Sequence, residues 1–230
     1  RVRALRASGT TAFDAGASEG QEIGFVLAAA TAYLRALVDG GLDASSAARQ
    51  IALEVAADVD LFFTIAKIRA VRHCWATVLQ ASGVTVDGPT SGLVRVDAVA
   101  GGRWLTVVDP WVNLLRATAA TSGAVFGGAD AIVVVPFDAA AGLGGDLGRR
   151  LARNTQLLLQ DESGIGRVAD PAGGSYYVEV LTDELAAVGW AAFQRYEAAG
   201  GLASALGSGL VADEVAAVAA ERASRIATRR

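Results

Sequence analysis

Ala131-Ile132-Val133-Val134-Val135-Pro136 is a continuous apolar run closed by proline. No polar residue marks a solvent face in it. Such a run fits a strand buried on both faces, the habit of parallel sheets. Working outward, helical patterns flank it. Asp109-Pro110 opens the helix before it, which carries on to about Ser122. The Asp side chain can cap free N–H groups, and proline at the first helical position loses no bond. Asp146 to Gln160 is the helix after it. Further back, Leu93 to Val99 alternates like a strand, interrupted by Asp97. Asp58 to Gln80 is helical, with Leu61, Ile65, Ile68, Trp75 and Leu79 recurring on one face. Ile51 to Ala56 reads as a strand and Gln21 to Val38 as a helix that stops at Gly40-Gly41. Thr10 to Phe13 reads as a strand ending at Asp14-Ala15-Gly16. Towards the C-terminus, Gly166 to Asp170 is a last short strand. Thr182 to Ala199 is a helix with Asp183 and Glu184 in its first turn, halted at Gly200-Gly201. Asp213 to Thr228 is an Ala-rich terminal helix.

About five strands therefore alternate with helices, the pattern of an α/β fold with a parallel sheet and crossover helices. Five strands do not close a barrel of eight. The pattern leaves two architectures open: an open doubly wound sheet, or the second part of a (β/α)8 barrel. Residues 1–200 read as the sheet-bearing domain and 201–230 as its C-terminal helical extension. No internal repeat with a period of 20–50 residues is visible.

The 230 residues are 53% hydrophobic and 19% charged, enough for one sizeable core. Mean hydropathy is positive, yet no stretch approaches the ~18 apolar residues of a membrane span. Arg1 to Arg6 has no apolar signal region. The lack of methionine, the first residue included, reads as a piece of a longer protein. A net charge of −4 without a basic stripe argues against nucleic acid. One cysteine, Cys74, excludes an internal disulfide and suits a reducing cytoplasm. Lys67 is the only lysine.

Candidate chemistry is sparse. The single histidine, His73, adjoins Cys74 in mid-helix, so the two side chains point about 100° apart and do not share an ion easily. Gly164-Ile165-Gly166-Arg167-Val168-Ala169 matches a dinucleotide string, but it follows a helix and opens a strand, the reverse of what phosphate binding needs. Gly142 to Gly148 lacks the lysine of a phosphate loop and reads as a flexible connection. Asp14, Asp138 and Asp170 follow strands, where barrel enzymes keep catalytic groups, though turn and cap roles fit them as well. Arg149 or Arg150 shares a helix face with Arg153 and could grip a phosphate or simply face water.

One stretch goes beyond patterning. Arg150-Leu151-Ala152-Arg153-Asn154-Thr155-Gln156 is followed by Glu162-Ser163-Gly164, then by Asp170-Pro171-Ala172-Gly173-Gly174-Ser175-Tyr176-Tyr177-Val178-Glu179 and Leu181-Thr182. This series resembles the signature of the methylmalonyl-CoA mutase family. Ala66 to Ala70, Asp109-Pro110-Trp111-Val112-Asn113 with Arg116, and Asp14-Ala15-Gly16-Ala17 with Gln21-Glu22 agree with it, so the resemblance covers nearly the whole chain. It implies roughly strands four to eight of an acyl-CoA-carrying (β/α)8 barrel. In the family's heterodimers, a catalytic large subunit isomerises (R)-methylmalonyl-CoA and succinyl-CoA with adenosylcobalamin. The signature residues Asp109, Pro110, Arg153, Asn154, Glu162, Asp170, Pro171, Gly173, Gly174, Ser175, Tyr177 and Glu179 are expected to be structural. Gly173 and Gly174 suit a tight turn, and Arg153 with Asn154 would tie the helix to it.

The departures matter as much. By count along the family pattern, Arg95 aligns with a substrate-binding arginine, but Val96-Asp97-Ala98-Val99 replaces the polar residues after it. The family's electrophilic histidine falls on Gly128, which has no side chain to donate a hydrogen bond. His73 lacks the flanking residues of the cobalamin-ligand motif, with Val71 and Ala76 in their places. These losses resemble the small, non-catalytic subunit, which pairs with the large one and binds no cobalamin itself. Two alternatives remain: a catalytic acyl-CoA mutase barrel in truncated form, and an unrelated barrel enzyme using Asp14, Asp138 and Asp170.

Overall fold

A computed structural model describes residues 3–86, 92–142 and 144–228. Leu143, inside the glycine-rich run 142–148, and the terminal residues Arg1, Val2, Arg229 and Arg230 lie outside that set. The order is β1 (Leu5–Ser8), α1 (Thr10–Asp14), α2 (Glu19–Asp39), α3 (Ala44–Ala48), β2 (Ile51–Ala57), α4 (Leu61–Ala81), β3 (Val96–Ala100), α5 (Val112–Phe126), β4 (Ala131–Val134), α6 (Asp146–Leu157), α7 (Tyr176–Ala198), α8 (Leu202–Gly207) and α9 (Leu210–Ala227). One 3-10 turn at Ala139–Ala141 and one π-helical segment at Leu158–Glu162 flank α6.

Local chemistry explains the main boundaries. Ser18 and Gln21 form a reciprocal capping box that starts α2. Asp60 Oδ1 accepts from Phe63 N at 3.1 Å and starts α4. Gly40 and Gly41 end α2, Gly41 with φ +96°.

The four strands form one parallel sheet in the order β1-β2-β3-β4. A doubly wound sheet reverses its strand order at a switch point. This sheet does not reverse, and successive winding of this kind is how a barrel wall is built. One face carries Ala7, Leu53, Val55, Val96 and Ala98, all fully buried against α2, α4 and α5. The two-residue period of a strand then puts Arg6, Glu54 and Asp97 on the opposite face.

Outside the sheet, α7 lies across α2 and α4. Glycines permit its close approach. A Cβ on Gly24 would stand 2.5 Å from that of Ala192 and 2.8 Å from the backbone nitrogen of Phe193. Gly189 meets Ile23 in the same way. Among the described residues, α2 alone is long and apolar enough to cross a membrane, and 56% of its most apolar window is buried in the protein.

Several sequence expectations are corrected. Thr10–Phe13 is helical, not extended: Phe13 N bonds back to Gly9 O at 3.0 Å, and the strand is Leu5–Ser8. Arg6 interrupts that strand's apolar pattern and hides it from a periodicity reading. The run at 131–136 is extended only to Val134 and is not buried on both faces, since Val133 on the sheet edge is 53% exposed. Gly166–Asp170 is a series of exposed turns rather than a strand. A strand exists only by pairing, and these residues have no pairing partner in the sheet. Asp109 does not cap α5. Its backbone takes φ +48°, and the helix starts at Val112. α7 begins at Tyr176, six residues before Thr182, so Glu179 is its first-turn acid instead of Asp183 and Glu184.

Candidate functional site

Barrel enzymes work at the C-terminal ends of their strands. Here the segments after β1, β2 and β3 meet around Arg103. Its guanidinium donates to Phe13 O at 3.2 Å, Ala17 O at 2.7 Å, Glu19 at 3.2 Å and Asp58 at 3.0 Å. It also lies over the Phe13 ring, 3.6 Å from the centroid. The Arg103 backbone N–H donates to Asp14 Oδ1 at 3.1 Å. Beside it is an open cleft of about 460 Å³, walled by Asp14, Asp58, Arg103 and Trp104 and by Ala219 and Arg222 of α9. Arg222 donates to Gly16 O at 2.6 Å. Burial, then the neighbouring Arg103 charge, holds its pKa below the usual guanidinium value. Five donors in a rigid fork let one arginine satisfy several carbonyls at once. Arg103 uses that capacity to fasten three loops, which leaves little of it for a ligand.

The three candidate aspartates are placed apart in role. Asp14 holds Arg103 N. Asp138 Oδ2 accepts from Gly145 N at 3.2 Å, at the start of α6, while its buried Oδ1 has no partner among the described residues. Asp170 is paired with Arg69 of α4. Each carboxylate is tied to backbone or to an arginine, and no two share a contact that would pair them as acid and base.

The signature segment is organised by Arg69, which sequence reasoning missed. It pairs with Asp170 and, at 2.7 Å, with Glu179 Oε2. Glu179 Oε1 accepts from Gly174 N at 2.9 Å. That backbone bond, then Arg69, holds the Glu179 carboxyl below the usual carboxylate range. The turn 170–175 is thus clamped onto α4. Asp170 (φ +45°) and Gly174 (φ +80°) take its left-handed positions, whereas Gly173 does not. Arg153 and Asn154 are exposed and make no side-chain hydrogen bond among the described residues, so the tie expected from them is made by Arg69 instead. Glu162 and Tyr177 are exposed too; Tyr177 meets Phe62 edge-on at 5.3 Å. Pro171 lies in the turn, and Ser175 precedes α7 without a side-chain cap.

Gly128 and Arg95 sit at the other end of the sheet. Gly128 is the turn into β4, with φ +77° and open space where a Cβ would point; its carbonyl accepts from Arg72 at 2.7 Å. Arg95 immediately precedes β3 and its Nε donates to Asp97 Oδ1 at 2.9 Å. Both are at the N-terminal ends of strands, where barrel residues serve stability. The missing side chain at Gly128 therefore carries no weight about chemistry at the C-terminal ends.

Asn113 is a second residue the sequence hid. Fully buried, it donates to Thr106 O at 2.8 Å and Phe137 O at 2.9 Å, and it accepts from Thr106 N and Arg116. It joins the loop after β3 to the loop after β4. Asn113→Ala is expected to cost about 2–3 kcal/mol, because one change leaves several buried groups unpaired. Chemical denaturation checks it, and a loss under about 0.5 kcal/mol would mean water replaces the amide.

The two reactive side chains are elsewhere. His73 is exposed on the middle of α4. Cys74 is buried, its thiol facing Ala186 O at 3.7 Å, and burial pushes its pKa up to about 11. At neutral pH it is a protonated, inert thiol. Iodoacetamide is expected to label it only after unfolding; mass spectrometry showing modification of folded protein at the unfolded rate would contradict this. Among the described residues there is no group of three His, Cys, Asp or Glu side chains able to hold a metal ion. The cobalt of an adenosylcobalamin is held by its own corrin ring and takes at most one axial protein ligand; His73, the one imidazole, is in mid-α4 with Val71 and Ala76 at the flanking places of the family's ligand motif and does not fit that role.

The geometry is that of a stapled parallel-sheet scaffold, and the comparisons agree with the motif reading. The family model described as methylmalonyl-CoA mutase matches residues 1–230. The chain is 49% identical over 229 residues to the methylmalonyl-CoA mutase small subunit of Streptomyces virginiae, covering 100% of this chain and 36% of that protein. It is 42% identical to the small subunit of Propionibacterium freudenreichii subsp. shermanii, covering 99% of this chain and 35% of that one. The methylmalonyl-CoA mutase of Escherichia coli (strain K12) is 35% identical over 91% of this chain and 29% of its own length. The chain spans about a third of the length of these relatives. With the turn 170–175 clamped onto α4 and the match running end to end, the chain belongs to the methylmalonyl-CoA mutase family, on the small-subunit side of it.

Proposed function

We propose that this chain is a wall of the (β/α)8 barrel, four successive strands from the C-terminal part of the family's order, of a non-catalytic small subunit. In this reading it supports a catalytic large subunit as a heterodimer. The large subunit binds adenosylcobalamin and interconverts (R)-methylmalonyl-CoA and succinyl-CoA in the cytoplasm. The observation that carries the proposal is the state of the C-terminal strand ends. Arg103, Asp14 and Asp58 are occupied with one another and with loop backbone, and Asp138 with the start of α6. The only imidazole and the only thiol belong to α4, the thiol buried and the imidazole exposed in mid-helix. A site for proton donation to a thioester carbonyl needs a preorganised donor aimed at the developing charge. The groups here are aimed at the protein's own loops. The small-subunit relatives, 42–49% identical across the chain, support the same side of the family.

The experiment is mutase turnover with the intact protein bearing this chain, its cognate large subunit, and each alone. Turnover that needs the large subunit and rises or survives longer with both supports the reading. Turnover by this protein alone ends it.

A further inference from the structure

Of the 20 lysines and arginines in this chain all but one are arginine, and the exception is buried. A guanidinium stays protonated and does not acylate. A lysine does, since its neutral amine is a nucleophile. Lys67 is therefore the one side-chain amine here that a thioester could modify. It lies on α4 with 1% of its side chain exposed, and its partner Glu22 on α2 has 0%. Nζ is 2.6 Å from Glu22 Oε2 and 5.0 Å from the centre of the Phe13 ring. Arg103 covers that ring at 3.6 Å. The open cleft beside Arg103 has neither Lys67 nor Glu22 in its wall. An attacking amine must come within about 3–3.5 Å of the carbonyl carbon. No thioester reaches Nζ, then, until α2 and α4 part.

We propose that Lys67 is an acylation site gated by opening of the fold: a CoA thioester acylates it only in the opened chain, and the acyl group then bars the chain from closing again. This rests on the proposed function only for the donor, the succinyl-CoA of that reading. In the opened chain Nζ is free of Glu22 and in water. Its neutral form attacks the thioester carbonyl carbon. The N–C bond forms, the C–S bond breaks with its electron pair leaving on sulfur, and the amine's extra proton passes to the thiolate. The products are an amide and free CoA thiol, and nothing is oxidised or reduced. An amide nitrogen carries no positive charge. Glu22 would return to a buried place without its counter-ion, keeping only the Ala56 N–H. The acyl chain also needs room between α2, α4 and Phe13, where added atoms strain a packed core. A succinyl group brings a second carboxylate beside the first. Both effects oppose refolding.

The test treats the intact protein bearing this chain with succinyl-CoA at about pH 8, in buffer and at guanidinium concentrations through the unfolding transition. Mass spectrometry of the peptide carrying Lys67 gives the acylation rate. That rate is expected to be at least about a hundredfold slower in buffer than in the unfolded chain, and to rise with the unfolded fraction. A smaller difference overturns the gate. Protein partly acylated at Lys67 in denaturant is then diluted, and its folded and misfolded fractions are separated by size exclusion. Modified Lys67 is expected only in the fraction that fails to refold. Equal modification of both fractions overturns the bar to refolding. Neither readout uses turnover, so the mutase assay can go against the non-catalytic reading while Lys67 stays shielded, and the reverse.

Discussion

Lys67→Met is expected to destabilise the intact protein by about 3–5 kcal/mol, the usual cost of stranding one partner of a buried ion pair. Lys67 Nζ lies 2.6 Å from Glu22 Oε2, and both side chains are essentially inaccessible to water. Glu22 Oε1 also accepts from Ala56 N at 2.6 Å. That amide lies beyond the last residue of β1, which ends opposite Glu54, so the carboxylate stands in for a missing strand. Lys67 further lies 5.0 Å from the centre of the Phe13 ring. Burial pushes the Glu22 carboxyl above its usual range, against the pull of Lys67 and the Ala56 amide. Methionine fills the same space but removes the charge. Glu22→Leu alone fails similarly, by stranding Lys67 and the amide. The double variant K67M/E22L is expected to recover part of the loss, since the pair itself is worth little against apolar replacement. Equilibrium urea unfolding of the three variants decides it. A Lys67→Met loss below about 1 kcal/mol would show that Glu22 is neutral or hydrated in the folded protein.

Gly24→Val should cost about 3 kcal/mol or more, at the upper end of overpacking effects. The added Cβ would meet the Ala192 Cβ at 2.5 Å and backbone of α7 at 2.8 Å. Backbone has no rotamer to change, so α2 and α7 must separate and lose the packing that Ile23, Ala192 and Phe193 share. Gly207→Ala is the contrasting case. Its Cβ would meet nothing within 4 Å and its φ is ordinary, so a change within about 1 kcal/mol either way is expected. Thermal unfolding of both variants tests this. A Gly24→Val protein with a wild-type midpoint would mean the two helices are not so closely packed in solution.

Much of the fold was legible because its helices carry their own punctuation. Gly40-Gly41 and Gly200-Gly201 mark helix ends, and the structure keeps both, whereas the starts at Ser18 and Asp60 lie a few residues from the expected Gln21 and Asp58. Strands were harder, since they depend on neighbours distant in sequence. Leu5–Ser8 was hidden by Arg6, whose charge belongs to a partner 48 residues away. Gly166–Asp170 has a strand's composition without a pairing strand. The motif series at 150–182 was legible as family, yet the roles within it were not. Arg69, over 100 residues from Asp170 and Glu179, holds that turn, while the adjacent Arg153 does not. The role of Asn113 is not legible in the sequence, because its two loop partners, Thr106 and Phe137, come together only in the folded chain. Counting along a motif also placed Arg95 and Gly128 without regard to which end of the strand each occupies.

The central claim is that this chain supports catalysis without performing it. The most direct test is adenosylcobalamin-dependent turnover of (R)-methylmalonyl-CoA by the intact protein bearing this chain, measured with and without its cognate large subunit. The account predicts no succinyl-CoA from this protein alone and greater or longer-lived activity when both are present. Succinyl-CoA formed by this protein alone would contradict it.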